Sequence, residues 1–236
     1  MKNIAIIGAS GGIGAGFVRQ LLQRHDDVRV YALSRSALAY DDDRVLPVSI
    51  DITNEGSVAA AAKLIDAPLD MVIIATGLLH SENMMPEKSV RDIAADSFMR
   101  SYEVNTVGPA LVGKYFLPLM RKGGRAVFAA LSARVGSVSD NKVGGWYAYR
   151  ASKAALNMVL KNFAIEMGRR HKELIIAALQ PGTVDTKLSE PFQGNVAEGK
   201  LFTADFSASA LLDVLGGLSP ADSGQLFDWQ GALIEP

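Results

Sequence analysis

Short, uninterrupted apolar runs alternate with segments of helical periodicity along the whole chain, and this alternation limits the fold more than any other feature. Residues 4–7, 28–33, 45–50, 71–75, 126–131, 174–179 and 225–228 read as strands. Residues 13–24, 57–65, 92–120, 147–170 and 204–215 read as helices, the third with a break near Gly108-Pro109. A strand that is apolar at every position is covered on both faces, which a parallel sheet between two layers of helices provides. The expected fold class is therefore α/β: a single-domain, Rossmann-type, doubly wound parallel sheet with helices on both faces. The 236 residues suit one such domain over 1–236, and no Pro/Ser-rich linker, repeat or composition shift divides them.

Charge and composition exclude several functions. Lys plus Arg number 24 and Asp plus Glu 25, a net charge of -1, which gives no electrostatic reason to bind nucleic acid or an anionic membrane. There is no cysteine, so disulfides, thiolate chemistry and zinc-finger spacing are ruled out. His25, His80 and His171 are scattered and read as surface residues, so no metal is expected. The first apolar run stops at Gly8, short of a signal-peptide core, and no apolar stretch approaches the ~18 residues of a membrane span. The expected location is cytoplasmic.

Gly8-Ala9-Ser10-Gly11-Gly12-Ile13-Gly14 joins the first strand to the first helix. Phosphates need close backbone approach, and a helix amino end offers free N–H groups. Gly8, Ser10, Gly12, Ile13 and Gly14 are thus candidates for binding a dinucleotide. An NAD site usually carries an acid about 20 residues further on. Here the second strand ends in Leu33-Ser34-Arg35-Ser36, with no acid. Arg35 can fork onto a 2′-phosphate, with Ser34 and Ser36 adding hydroxyl donors, so NADP(H) is the expected cofactor.

Tyr149-Arg150-Ala151-Ser152-Lys153 places a phenol and an ammonium on one helix face, after a strand that ends in Ser132. Together with the glycine turn, these residues resemble the short-chain dehydrogenase/reductase family, from Gly8 to Gly231. Gly144-Gly145-Trp146-Tyr147-Ala148-Tyr149-Arg150 and Asp228-Trp229-Gln230-Gly231 look like the subgroup of C-factor and sniffer-type carbonyl reductases. The resemblance implies carbonyl–alcohol interconversion by hydride transfer, with Tyr149 as general acid/base. An unperturbed Tyr has a pKa of about 10, and bringing it near 7 requires about 4 kcal/mol. The Lys153 ammonium and an oxidised nicotinamide would supply this.

The family pattern assigns further roles. Ser132 would hold the substrate oxygen, although in Ser132-Ala133-Arg134-Val135-Gly136 a count back from Gly136 puts Ala133 in the usual serine place; Ser137 is the fallback. Asn105 would kink its helix and hold a water behind Lys153. Asp51-Ile52 would meet the adenine. Ala75 and Gly77 would pass the ribose, although Ile74-Ala75-Thr76-Gly77 lacks the two asparagines frequent there. Pro181, Gly182, Val184 and Thr186 would grip the carboxamide. Residues 187–203 form the variable substrate loop, with Trp146 and Tyr147 either walling the cleft or simply packing. The expected partner is a small-molecule carbonyl or alcohol, in a possible homodimer or homotetramer. A rival reading is a dinucleotide-binding signalling or regulatory protein on the same fold with little catalysis.

Overall fold

A computed structural model describes residues 2–36 and 38–236. In chain order it contains β1 (Asn3–Ile7), α1 (Gly12–Arg24), β2 (Arg29–Ser34), β3 (Val45–Ser49), α2 (Glu55–Lys63), β4 (Met71–Ile74), α3 (Ala95–Tyr102) and α4 (Gly108–Phe116). It continues with β5 (Ala126–Leu131), α5 (Tyr147–Met167), β6 (Leu174–Gln180), β7 (Thr183–Val184), β8 (Leu201–Phe202), α6 (Ala204–Gly217), β9 (Gln225–Asp228) and β10 (Leu233–Ile234). Eight strands form one sheet in the order β10-β9-β6-β5-β4-β1-β2-β3. All neighbours are parallel except β10, which runs antiparallel to β9 at the edge.

The apolar runs become the central strands because both of their faces are buried. Alternate residues of β1 serve opposite layers. Ala5 and Ile7 pack with Val58 of α2, Val112 and Phe116 of α4, and Leu156 and Leu160 of α5. Ile4 and Ile6 pack with Phe17, Val18 and Leu21 of α1 and Ala208, Leu211 and Leu215 of α6. Burying each such side chain contributes about 1.5–3 kcal/mol. Gly16 lets α1 and α6 touch: a Cβ there would lie 2.8 Å from the Ala204 carbonyl oxygen.

The helical run 92–120 differs from expectation. There is no break at Gly108-Pro109. A π-helical turn, Glu103–Val107, joins α3 to α4 instead. Pro109 sits in the first turn of α4, where its missing N–H leaves less unsatisfied. Gly108 is small because Ile52 presses against it: a Cβ there would lie 2.7 Å from Ile52 Cδ1. The small pair β7–β8, which closes the 187–203 segment back on itself, and the edge strand β10 were not expected from the sequence.

The chain runs outward from β1 to β3 and then returns to β4 on the other side of β1. At such a reversal the loops after the two strands part and leave a crevice at their carboxyl ends. The candidate site lies there.

Candidate active site

The crevice is lined by Ile7, Gly8, Ser10 and Gly11 from the turn after β1, and by Ala75, Thr76, Gly77 and Leu78 after β4. Ser34 and Arg35 after β2, Asp51, Ile52 and Thr53 after β3, and Arg100 and Val104 above them complete it. The glycine turn is built for backbone approach. Gly8 has φ +91°, and a Cβ on it would lie 2.9 Å from Thr76 Cγ2. A Cβ on Gly14 would lie 2.1 Å from the Gly8 carbonyl oxygen, and one on Gly12 would lie 2.7 Å from Thr186 Cγ2. Ile13 follows in the first turn of α1, packed against the core. The N-cap of α1 is Gly11, with no side-chain cap and no acid in the first turn. Thr76 Oγ1 is buried there without a partner among the described residues. An uncapped helix end, a side-chain-free cradle and an orphaned hydroxyl fit the pyrophosphate and ribose of a dinucleotide.

At the outer end Arg35 is exposed and near enough to Asp51 to help hold its carboxyl below the usual range, as does Arg100. The main cause of that lowering is Thr53, whose N–H and hydroxyl both donate to Asp51 Oδ1, at 3.0 and 2.7 Å. The Ser34 hydroxyl is buried and donates to the Ser36 carbonyl at 2.6 Å. Arg100 and Val104 carry no motif; they reach the crevice from the last turn of α3 and from the π turn.

At the inner end, Tyr149 and Lys153 both lie in the first two turns of α5, and both are buried. Lys153 Nζ donates to the Leu131 carbonyl at 2.8 Å and stands 5.8 Å from the Tyr149 ring centroid. A Cβ on Gly77 would lie 3.8 Å from Lys153 Nζ and 3.7 Å from Asn105 Oδ1, so the floor of the crevice reaches the Tyr–Lys pair. Burial pulls Lys153 down to about 8. It pushes the Tyr149 phenol up, through desolvation of the phenolate.

Asn105 sits fully buried in the π turn. Its Oδ1 accepts from the Leu78 N–H at 2.8 Å, and its Nδ2 donates to the Leu78 carbonyl at 2.8 Å and to Ser152 Oγ at 3.1 Å. The asparagine therefore ties the kink to the exit of β4 and to the residue before Lys153. Ser132 is buried just after β5, and its hydroxyl donates to Asn157 Oδ1 at 2.7 Å, two turns beyond Tyr149 on the same helix face. Ser137 Oγ accepts from the Asp140 N–H at 3.0 Å. Asn157 carried no sequence signal, since its partner lies 25 positions away.

Thr186 meets the glycine turn, and Val184 is buried in β7. Pro181 and Gly182 shape the exit of β6. The Pro181 carbonyl accepts from Ser207 Oγ at 2.8 Å, and a Cβ on Gly182 would lie 2.6 Å from Phe202. Trp146 walls the region, 5.1 Å from Phe192 and 6.2 Å from Tyr149 between ring centroids. His80 is more than a surface residue. Its Nε2 is 3.0 Å from the Lys187 carbonyl, and its ring is edge-on to Phe192, so it pins the root of the 187–203 loop.

This fold and glycine turn define a dinucleotide-dependent oxidoreductase scaffold. The chain belongs to the short chain dehydrogenase family, whose model matches residues 2–196. It is 32% identical over 237 residues to 1-hydroxy-2-glutathionyl-2-methyl-3-butene dehydrogenase of Rhodococcus sp. (strain AD45), covering 100% of both chains. It is 32% identical over 176 residues to C-signal of Myxococcus xanthus, covering 75% of this chain and 98% of that one. The crystal structure of an NADPH-bound carbonyl reductase from chicken fatty liver superposes with a TM-score of 0.84 at 26% identity, over 100% of this chain and 94% of that one.

Proposed function

We propose that residues 1–236 form a single-domain, cytoplasmic, NADP(H)-dependent reductase that interconverts a carbonyl and an alcohol. The observation that carries this reading is the buried Lys153 ammonium, fixed to the Leu131 carbonyl beside the Tyr149 phenol and reached from the dinucleotide crevice at Gly77. The NADPH in the chicken carbonyl reductase supports the cofactor, as does the absence of an acid at Ser34-Arg35-Ser36.

The bound dinucleotide supplies or accepts the hydride. Gly8, Ser10, Gly12, Ile13 and Gly14 would hold its pyrophosphate, Arg35 its 2′-phosphate, and Asp51 and Ile52 its adenine. Ala75, Gly77, Val184 and Thr186 would border the nicotinamide half, with Pro181 and Gly182 shaping the turn that leads to Val184 and Thr186. Burial keeps Tyr149 protonated, the form that gives a proton to the carbonyl oxygen in reduction. Lys153 stabilises the phenolate left behind, and Asn105 holds the chain segment on which Lys153 rests. Ser132 orients the carbonyl once its hydroxyl turns from Asn157.

A panel of ketones and aldehydes followed by NADPH absorbance tests this. Glutathionyl alcohols, offered in the oxidative direction, extend the panel to the Rhodococcus relative's named chemistry. Turnover is expected, with catalytic efficiency favouring NADPH over NADH. Tyr149→Phe should bind NADPH and lose at least about a thousandfold in kcat, since it removes the proton donor itself. Turnover retained by that variant, or parity of the two cofactors, defeats the corresponding assignment. The commitment of the Ser132 hydroxyl to Asn157 favours a second reading, a dinucleotide-binding signalling or regulatory protein. That reading requires tight NADPH binding with no oxidation across the whole panel.

A further inference from the structure

The helix that carries Tyr149 has no cap of its own. Its N-cap residue, Trp146, has φ +50°, the one left-handed non-glycine residue among those described, and makes no side-chain bond to the first turn. A left-handed backbone is unfavourable for a bulky aromatic side chain, so something holds it there. The indole is engaged in the cleft wall, against Phe192 and Tyr149.

Glu87, far upstream in the chain, supplies what Trp146 does not. Its Oε2 accepts from the Ala148 N–H at 3.2 Å, in the first turn of α5. Its backbone carbonyl accepts from the Trp146 N–H at 2.6 Å. Gly145 passes closely beneath: a Cβ there would lie 3.4 Å from the same carbonyl. The Glu87 side chain is only 4% exposed, in a recess shared with Leu79, Ser97, Ser101 and Tyr149. Its Oε1 is buried with no partner among the described residues. An Asp, Ser or Asn at the N-cap would cap the helix without burying a carboxylate, so stability alone does not explain this arrangement.

We infer that Glu87 is a positioning residue for Tyr149. It closes the first turn of α5 against a helix end that favours negative charge, and so fixes the backbone from which the phenol projects. This frees residue 146 to be a cleft wall. The inference rests on Tyr149 being the proton donor of the proposed reaction.

The test compares Glu87→Ala, Glu87→Gln and Glu87→Asp in the full-length protein. Two readouts are taken: kcat and KM for an accepted ketone with NADPH, and amide hydrogen exchange of residues 146–150. Glu87→Ala should speed exchange at Ala148 and Tyr149 and lower kcat about tenfold or more, with the KM for NADPH unchanged, because a small misplacement of a reacting group is costly. Glu87→Gln keeps an acceptor oxygen at the same reach and should restore kcat to within about threefold. Glu87→Asp is one methylene too short and should behave as the alanine variant. Faster exchange with unchanged kcat overturns the positioning role, and unchanged exchange overturns the cap. If Glu87→Ala does not fold, the Gln and Asp variants decide, and equal kcat in those two overturns the inference. A wild-type protein inactive on every carbonyl sinks the functional reading instead, and the exchange arm then judges the cap alone.

Discussion

Two helix amino ends meet the ligand-binding edge of this sheet, and they are finished in opposite ways. At α1 the N-cap is Gly11, no acid enters the first turn, and the turn opens onto the crevice. At α5 the N-cap is Trp146, and the carboxylate of Glu87 is buried against the first turn. An ordinary helix of the same protein, α2, has a third finish: Asn54 accepts from the Ser57 N–H at 3.0 Å. A helix end left bare is a place for a ligand's charge. A helix end closed from elsewhere in the chain is a rigid mount for a side chain.

The contrast breaks most sharply at Gly14. Gly14→Val would drive its side chain into the Gly8 carbonyl oxygen, so dinucleotide affinity should fall by at least about 100-fold, as titration by intrinsic fluorescence would read. Unchanged affinity would mean that the open end is not the phosphate site.

The closed end is probed by pH. Burial pulls Lys153 down to about 8, so its ammonium is present below that value and lost above it. The kcat/KM for carbonyl reduction should fall about tenfold per pH unit above about 8. A profile level to pH 9.5 contradicts the role of Lys153. The same depression makes the charge a burden on folding. In Lys153→Met the unfolded chain no longer holds a proton that the native state resists, so the variant should be about 1–3 kcal/mol more stable below pH 8. That advantage should shrink as pH rises from about 8 towards the unfolded lysine value of about 10.4. Denaturant melts at pH 7 and pH 10 measure both.

Gly11→Asp sharpens the comparison with a smaller effect. Gly11 is extended, with φ -78° and ψ 162°, so an aspartate can cap α1 there. Dinucleotide affinity should fall about tenfold, because the new charge repels phosphate, while stability should change by no more than a few tenths of a kcal/mol, since the cap is offset by a Cβ 3.3 Å from the Gly8 carbonyl oxygen. A gain in affinity would show that the end attracts no anion. Least of all, Asn54→Ala should cost about 1 kcal/mol by denaturant melt and leave dinucleotide affinity unchanged.

These ends also mark where the sequence is readable. The strands are legible because burial on both faces demands unbroken apolar runs, and the glycine turn is legible because it follows one of them. Tyr149 and Lys153 are legible because a helix puts i and i+4 on one face. The failures share one cause, which is that a partner distant in sequence decides the outcome. Gly108-Pro109 points to a break, and the irregularity is instead the π turn Glu103–Val107 directly before it, where Asn105 binds the distant Leu78 backbone. Asn157, which accepts from the Ser132 hydroxyl, lies 25 positions away from it and shows no local pattern. The carboxylate of Glu87 lies 61 positions from the N–H it accepts, and no local pattern announces it. Two-residue strands such as β7, β8 and β10 are too short to show a period at all.

The buried ammonium of residue 153 has an evolutionary corollary. A laboratory selection that rewards heat resistance alone should discard this lysine early, and one that rewards turnover should keep it.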